Sequence, residues 1–254
     1  MNLLNWIKHY YRRQRMKKII SILVLLATFA PTNAQNEITG EDQLGSWFMY
    51  FGTNKIAEKW SIHTEAQFRY YETADNFNQL LLRTGANYHI NSDAIATMGY
   101  GYIKTDPSFL ESPKEANLTE HRIFEQFILK NKVWELNFEH RYRLEQRFIS
   151  QTDILSDPEQ DLGRTEHRAR YRLQVTLPLT DIFFLNFYDE IFINLQNEAF
   201  GQNRLYAAVG VNVTDSLSMQ FGYLRNDFKT TDYDRLQLGV VFNTDLRTVF
   251  KKKE

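Results

Sequence analysis

Arginine and glutamate recur two residues apart along two stretches of this chain, a spacing that puts them on one face of an extended backbone. Arg141-Tyr142-Arg143-Leu144-Glu145-Gln146-Arg147 is the first stretch and Arg168-Ala169-Arg170-Tyr171-Arg172 the second. Three Glu-His-Arg triplets begin at Glu120, Glu139 and Glu166, adding Arg122 to the set, and Glu190 follows further on. If 149–163 is the loop joining the two stretches, the shared parity pairs Arg147 with Glu166 and Glu145 with Arg168. The same register sets Arg143 beside Arg170 and Arg141 beside Arg172. Directly opposed like charges destabilise a strand pair, so these arginines need Glu139, Glu120 or Glu190 from diagonal or next-strand positions.

Two chemistries fit that pattern. One is an ion-pair ladder filling a narrow interior, as the packed interiors of small barrels require. The other is an anion-preferring passage or site. On the polar parity stand Arg69, Arg83, Arg122, Arg141, Arg143, Arg147, Arg168, Arg170, Arg172, Arg204 and Arg235. Against them stand Glu65, Glu120, Glu135, Glu139, Glu145, Glu166 and Glu190, a surplus of four positive charges. In a water-filled lumen such a surplus favours anions, as charged rings do in pores.

Other chemistry finds little support. His121, His140 and His167 fall on the opposite parity from their neighbouring carboxylates and cannot converge with them on one metal. The chain has no cysteine, hence no disulfide, thiolate metal site or cysteine nucleophile. Ser46, Ser61 and Ser218 lie in alternating runs, yet no local signature joins them to His63 or His89. No phosphate loop, nucleophile elbow or nucleic-acid module is present, and neither a cofactor nor a catalytic residue is expected.

The elements that must position these charges are strands. Trp60, Ile62, Thr64, Ala66, Phe68 and Tyr70 alternate with Ser61, His63, Glu65, Gln67 and Arg69, a period of two. From Val133 to Phe148, Trp134, Leu136, Phe138, Tyr142 and Leu144 oppose the charged parity; residues 166–177 repeat the scheme. Further runs lie near 44–52, 79–90, 94–103, 120–130, 182–195, 203–213, 217–226 and 233–242. Several reach the nine to eleven residues that a tilted strand needs to cross a bilayer. Short turns at Asn91-Ser92-Asp93, Asn131-Lys132, Pro178 to Asp181 and Thr214-Asp215-Ser216 alternate with long polar loops near 104–118, 149–163, 196–202 and 227–232. Short turns on one rim and long loops on the other are the habit of outer-membrane barrels.

The chain of 254 residues is organised around that barrel. Met16-Lys17-Lys18, the apolar stretch Ile19 to Ala30 and Thr32-Asn33-Ala34 read as a secretory signal peptide over 16–34. Residues 1–15 read as an over-extended start. Residues 35–43 are expected to form a weak strand or a lumen plug, 44–243 the barrel, and 244–254 a basic tail. Eleven runs are visible, but single-chain bacterial barrels have an even number, so twelve strands are expected, with ten as the alternative. Net charge −1 gives no pull toward nucleic acid, and 24% charged residues exclude a bundle of membrane helices.

A soluble barrel buries its apolar parity, whereas a membrane barrel turns it to lipid and keeps polar groups inside. Long strands, the signal peptide and aromatics near the ends of the apolar face (Trp60 with Tyr70, Trp134 with Phe148, Tyr88, Tyr100, Tyr102) favour the membrane form. The expectation is an antiparallel transmembrane β-barrel in the outer membrane of a Gram-negative bacterium. Outer-membrane lipid, the barrel-assembly machinery and a small anionic solute are its expected partners. A lipid-modifying outer-membrane enzyme and a soluble periplasmic ligand-binding barrel are the alternatives.

The sequence resembles the domain of unknown function 2490 family, outer-membrane barrels found in Bacteroidetes, from about Gly45 to Phe242. The residues carrying the resemblance are Trp47, Lys59-Trp60-Ser61 with Arg69, Gly99-Tyr100-Gly101-Tyr102, and Glu120-His121-Arg122 with Gln126. They continue through Arg141 to Arg147 and Tyr188-Asp189-Glu190 with Asn194. Membership implies an outer-membrane barrel and carries over no catalytic residue.

Overall fold

The structure is a computed structural model that describes residues 40, 43–107, 109, 116–153, 163–196 and 198–247. The expected signal peptide, most of the 35–43 segment, the centre of the 149–163 loop and the end of the basic tail lie outside the described residues. Alternation of polar and apolar side chains is realised as eleven strands: β1 Gly45–Lys55, β2 Trp60–Tyr70, β3 Phe77–His89, β4 Ala94–Thr105, β5 Ala116–Val133 and β6 Leu136–Asp153, then β7 Arg164–Pro178, β8 Phe183–Asn194, β9 Phe200–Asn212, β10 Leu217–Asp227 and β11 Asp232–Asp245. Each strand pairs with its sequence neighbours, and β1 pairs with β11 to close a barrel.

The closure corrects the expected strand number. β1 and β11 pair in parallel, from Gly45↔Arg235 to Lys55↔Asp245, while every other pair is antiparallel. An up-and-down meander with an odd number of strands must bring its first and last strands together pointing the same way. No edge remains between them for a twelfth strand, and neither twelve nor ten strands describe this barrel.

One rim carries four-residue connections at 56–59, 90–93, 179–182 and 213–216, and a two-residue connection at Trp134-Glu135. Two of these turns close on a threonine hydroxyl: Thr180 Oγ1 accepts from the Ile182 and Phe183 amides, and Thr214 Oγ1 from those of Ser216 and Leu217. The other rim, the long-loop rim, carries the connections 71–76 and 228–231 and the strand ends Thr105, Ala116, Asp153, Arg164, Asn194 and Phe200. β1 starts on this long-loop rim, where the Arg235 guanidinium donates to the carbonyls of Gln43 at 2.7 Å and Gly40 at 3.3 Å.

The β5–β6 hairpin lies three residues later than the sequence suggests. Pairing continues to Val133↔Leu136, so Asn131 and Lys132 belong to β5. Trp134 takes φ 54°, the left-handed backbone that a two-residue hairpin demands. It is 88% exposed at the turn. Glu135, counted with the inward carboxylates, is an exposed turn residue as well.

Within the barrel the two parities separate cleanly. On β6, Arg143 is 3% exposed, Leu144 49% and Glu145 1%. Phe68, Leu82, Met98, Leu205, Val209 and Phe221 are likewise exposed on the outer surface. The interior is two-sided: a charged wall built mainly on β5–β8 faces an apolar cluster of Trp47, Met49, Tyr206, Ala208 and Leu224 from β1, β9 and β10. Gly99 sits where the Phe124 ring crosses the interior. A Cβ there would run into that ring and stand 2.5 Å from the Thr84 carbonyl oxygen.

Candidate functional site

The lumen is a deep concave site. A cavity of about 1230 Å³ reaches from Tyr71, Phe228 and Tyr233 at the long-loop rim to Lys130, Thr180 and Asn243 at the short-turn rim. All eleven arginines of the polar parity line it.

The β6–β7 register puts Arg147 opposite Glu166, Glu145 opposite Arg168, Arg143 opposite Arg170 and Arg141 opposite Arg172. The two arginine–arginine rungs are relieved from the side. Arg170 donates to Glu145 at 2.7 Å and to Glu190 at 2.8 Å, and Arg141 donates to Glu190 at 2.7 Å. Arg172 donates to Glu139 at 2.6 Å, and Lys130 lies 3.9 Å from the same carboxylate. Arg147 bridges Glu120 at 2.9 Å and Glu166 at 2.5 Å. Arg122 joins Glu120 at 2.6 Å to Glu145 at 3.5 Å, and Arg168 reaches Glu145 at 2.6 Å. One continuous chain of ion pairs thus runs Glu166–Arg147–Glu120–Arg122–Glu145–Arg170–Glu190–Arg141. Glu145, with three arginines within 3.5 Å, is its hub.

Such a network holds only because each buried carboxylate is shared, since an unpaired charge in a dry interior is far costlier than a paired one. The sharing is incomplete. The six glutamates that face inward are outnumbered by the eleven arginines and Lys130. Two arginines take amide oxygens instead, and Arg143 takes one beside its 3.7 Å approach to Glu145. Arg143 donates to Gln126 Oε1 through Nε at 2.9 Å and Nη2 at 2.5 Å. Arg69 donates to Gln67 Oε1 at 3.0 and 2.6 Å and to Gln79 Oε1 at 2.7 Å. Among the described residues Arg204 donates only a long bond of 3.4 Å to Asn226 Oδ1.

Aromatic rings carry much of the remaining guanidinium surface. Arg143 lies 4.9 Å from the Phe124 ring centre, and Arg170 and Arg204 lie 4.1 and 4.6 Å from that of Phe192. Sequence parity located the charges but not these platforms, because a cation over a ring leaves no spacing rule in the chain. In-facing glutamines were the available signal for the neutral acceptors.

The structure also joins a serine to a histidine 28 positions away. Ser61 and His89 share a hydrogen bond of 2.8 Å, and Asn87 donates to the same hydroxyl at 3.1 Å. Ser61 is 1% exposed and lies on the inward parity. That turns its hydroxyl away from the outer surface of the barrel. His121 and His140 face outward, each bonded to a tyrosine: His121 Nδ1 with Tyr100, and His140 Nδ1 with Tyr171 at 2.9 Å. Among the described residues no three His, Asp or Glu side chains gather as a metal site needs.

A solved structure titled "NanC porin structure in rhombohedral crystal form" is similar over 78% of this chain and 98% of its own, with 12% identity and a TM-score of 0.49. No curated protein matches the sequence. The family described as "Protein of unknown function (DUF2490)" matches residues 44–237, from just before β1 into β11. With that match covering most of the barrel, the chain belongs to the DUF2490 family.

Proposed function

We propose that this protein is an outer-membrane β-barrel of a Gram-negative envelope whose lumen is a narrow, anion-preferring passage. The observation that carries the reading is the inversion along β6, where Arg143 and Glu145 are buried and Leu144 between them is exposed. Water offers no reason to turn leucine out and an ion pair in, whereas hydrocarbon does. Strands of 11 to 18 residues are long enough to cross. Rings at both ends of the outer face support the same reading: Trp60 lies 5.0 Å from Tyr88 near the short-turn rim, and Tyr70 lies 5.8 Å from Phe77 near the other. Two outward carboxylates are each held by a neighbouring amide, Glu125 by Gln146 at 3.2 Å and Asp189 by Asn203 at 2.7 Å. In this orientation the short turns face the periplasm, as such turns do in outer-membrane barrels.

The passage rests on the cavity beside the ion-pair chain and on the excess of guanidinium groups lining it. Purified protein in planar bilayers under a potassium chloride gradient tests it. The expected result is a small conductance whose reversal potential has the sign of chloride preference. A silent barrel, or one that prefers potassium, would contradict the proposal.

A further inference from the structure

We propose that Arg69 and Arg204, held over Trp47 at the long-loop mouth, form a binding site for the oxyanion group of a small organic solute. The inference rests on the anion-preferring reading of the lumen and assigns it a residue-level site and a ligand class.

Arg69 and Arg204 make no ion pair among the described residues, and only neutral amide oxygens accept from them. This is not for want of a carboxylate nearby. Glu190 stands directly across from Arg204 in the β8–β9 register, yet its Oε1 accepts from Arg141 and Arg170 instead. Arg204 turns away, onto the rings of Phe192 at 4.6 Å and Trp47 at 5.0 Å. Arg69 approaches the same tryptophan from the neighbouring strand, 3.7 Å from the ring centre. Both guanidinium carbons lie that close to one ring, so they are at most 3.7 plus 5.0 Å apart, which is within 8.7 Å. Two like charges held that near each other, in an interior where every carboxylate is engaged, repel. An oxyanion between them removes the repulsion and gives both guanidinium groups a charged acceptor in place of the neutral amide oxygens of glutamine and asparagine.

A second observation points to the same place. The strand pairing slips at two positions, between Arg69 and Tyr70 in β2 and between Phe192 and Ile193 in β8. Bulges re-aim side chains and recur beside functional sites. The unpaired residues are Asn78 on β3 and Gly201 on β9, and the slips fall beside Arg69 and beside Phe192, the ring under Arg204. The chemistry of the ligand follows from the neighbours. Met49, Tyr206 and Leu224 pack against Trp47, and Met49 and Trp47 face the cavity. The site therefore offers cations on one side and apolar surface on the other, which suits a carboxylate or phosphate joined to a compact carbon body.

Calorimetric titration of the detergent-solubilised full chain tests this with three probes: benzoate, inorganic phosphate, and benzyl alcohol. Benzoate is expected to bind best, phosphate more weakly, and benzyl alcohol not at all. Phosphate binding best of the three would move the assignment from an organic anion to the free inorganic ion and overturn the ligand class. Arg204→Gln and Arg69→Gln should each weaken benzoate by about tenfold or more, with Arg204→Lys between them and the parent, because lysine keeps the charge but not the fork. Arg247→Gln, which removes an exposed guanidinium paired with Asp245 at the short-turn rim, should leave benzoate affinity within about twofold. Equal losses from Arg247→Gln and Arg204→Gln would overturn the site. A readout without variants guards against folding defects: benzoate should protect Arg69 and Arg204 from phenylglyoxal, and absence of protection would overturn the site. Chloride preference separates this proposal from the passage. A selective channel whose benzoate affinity ignores Arg204→Gln sinks the site alone, while a silent barrel that loses benzoate with Arg204→Gln sinks the passage alone.

Discussion

Arg143 and Arg170 stand directly opposite one another in the β6–β7 pairing, and the carboxylate of Glu145 reaches both guanidinium groups, at 3.7 and 2.7 Å. A rung of like charge in the middle of a strand pair is tolerated because the acid two residues along on β6 projects to the same side. The lumen is therefore organised by its glutamates, with the arginines arranged around them.

That asymmetry sets the first prediction. Glu145→Gln leaves Arg122, Arg168 and Arg170 around a neutral amide and should cost ~3–5 kcal/mol, the usual penalty for breaking a buried ion pair from one side. Arg143→Met should change stability by no more than ~1 kcal/mol, since it removes a charge already crowded by like neighbours and places a thioether against Phe124. Urea unfolding of the two variants in the same lipid or detergent checks both. Equal destabilisation would mean that the charges act only as packing.

The outer surface gives the second. Leu144→Arg should cost ~2–4 kcal/mol if that face meets hydrocarbon, but stay within ~0.5 kcal/mol if it meets water. Glu125 lies between Met98 and Leu144 in the strand registers, both of them exposed. Glu125→Leu should therefore raise the urea midpoint of the lipid-reconstituted barrel. A lowered midpoint would place that carboxylate in a polar setting.

Gly99→Ala tests how tightly the interior is fitted. Its methyl group must displace the fully buried Phe124 ring or the Thr84 carbonyl, at a cost of ~1–3 kcal/mol for overpacking. Gly101, whose Cβ would find its nearest atoms at 3.6 Å, should accept alanine with little change. The pair can be compared by heat-induced mobility shift on gels.

Parity made the inward charges legible in the sequence. Alternation over 141–147 and 168–172 fixes which side chains share a face, and only one offset brings Glu145 to Arg168 and Arg147 to Glu166. The run at 44–52 was less informative, because both of its parities are largely apolar: Phe48 and Tyr50 turn outward while Trp47, Met49 and Phe51 turn in. The apolar wall of the lumen, and with it the ring beneath Arg69 and Arg204, was hidden by that ambiguity. The hairpin at Trp134-Glu135 is hidden in the sequence for a different reason. Tryptophan has no preference for left-handed backbone, so pairing on both flanks imposes a conformation its own chemistry does not announce. Local pattern shows eleven runs, the number found; the expectation of twelve came from the even-number habit of bacterial barrels, which the parallel meeting of β1 with β11 breaks.

The orientation of the two parities can be measured directly, because the chain contains no cysteine. Leu144→Cys and Arg143→Cys, each carrying a nitroxide spin label in reconstituted liposomes, can be compared for relaxation by oxygen and by a water-soluble nickel complex. The label at position 144 should respond strongly to oxygen and weakly to nickel, and the label at 143 should show no such lipid signature. A label at 144 relaxed chiefly by nickel, or shielded from both agents, would contradict a barrel that turns its leucines to lipid and its arginines inward.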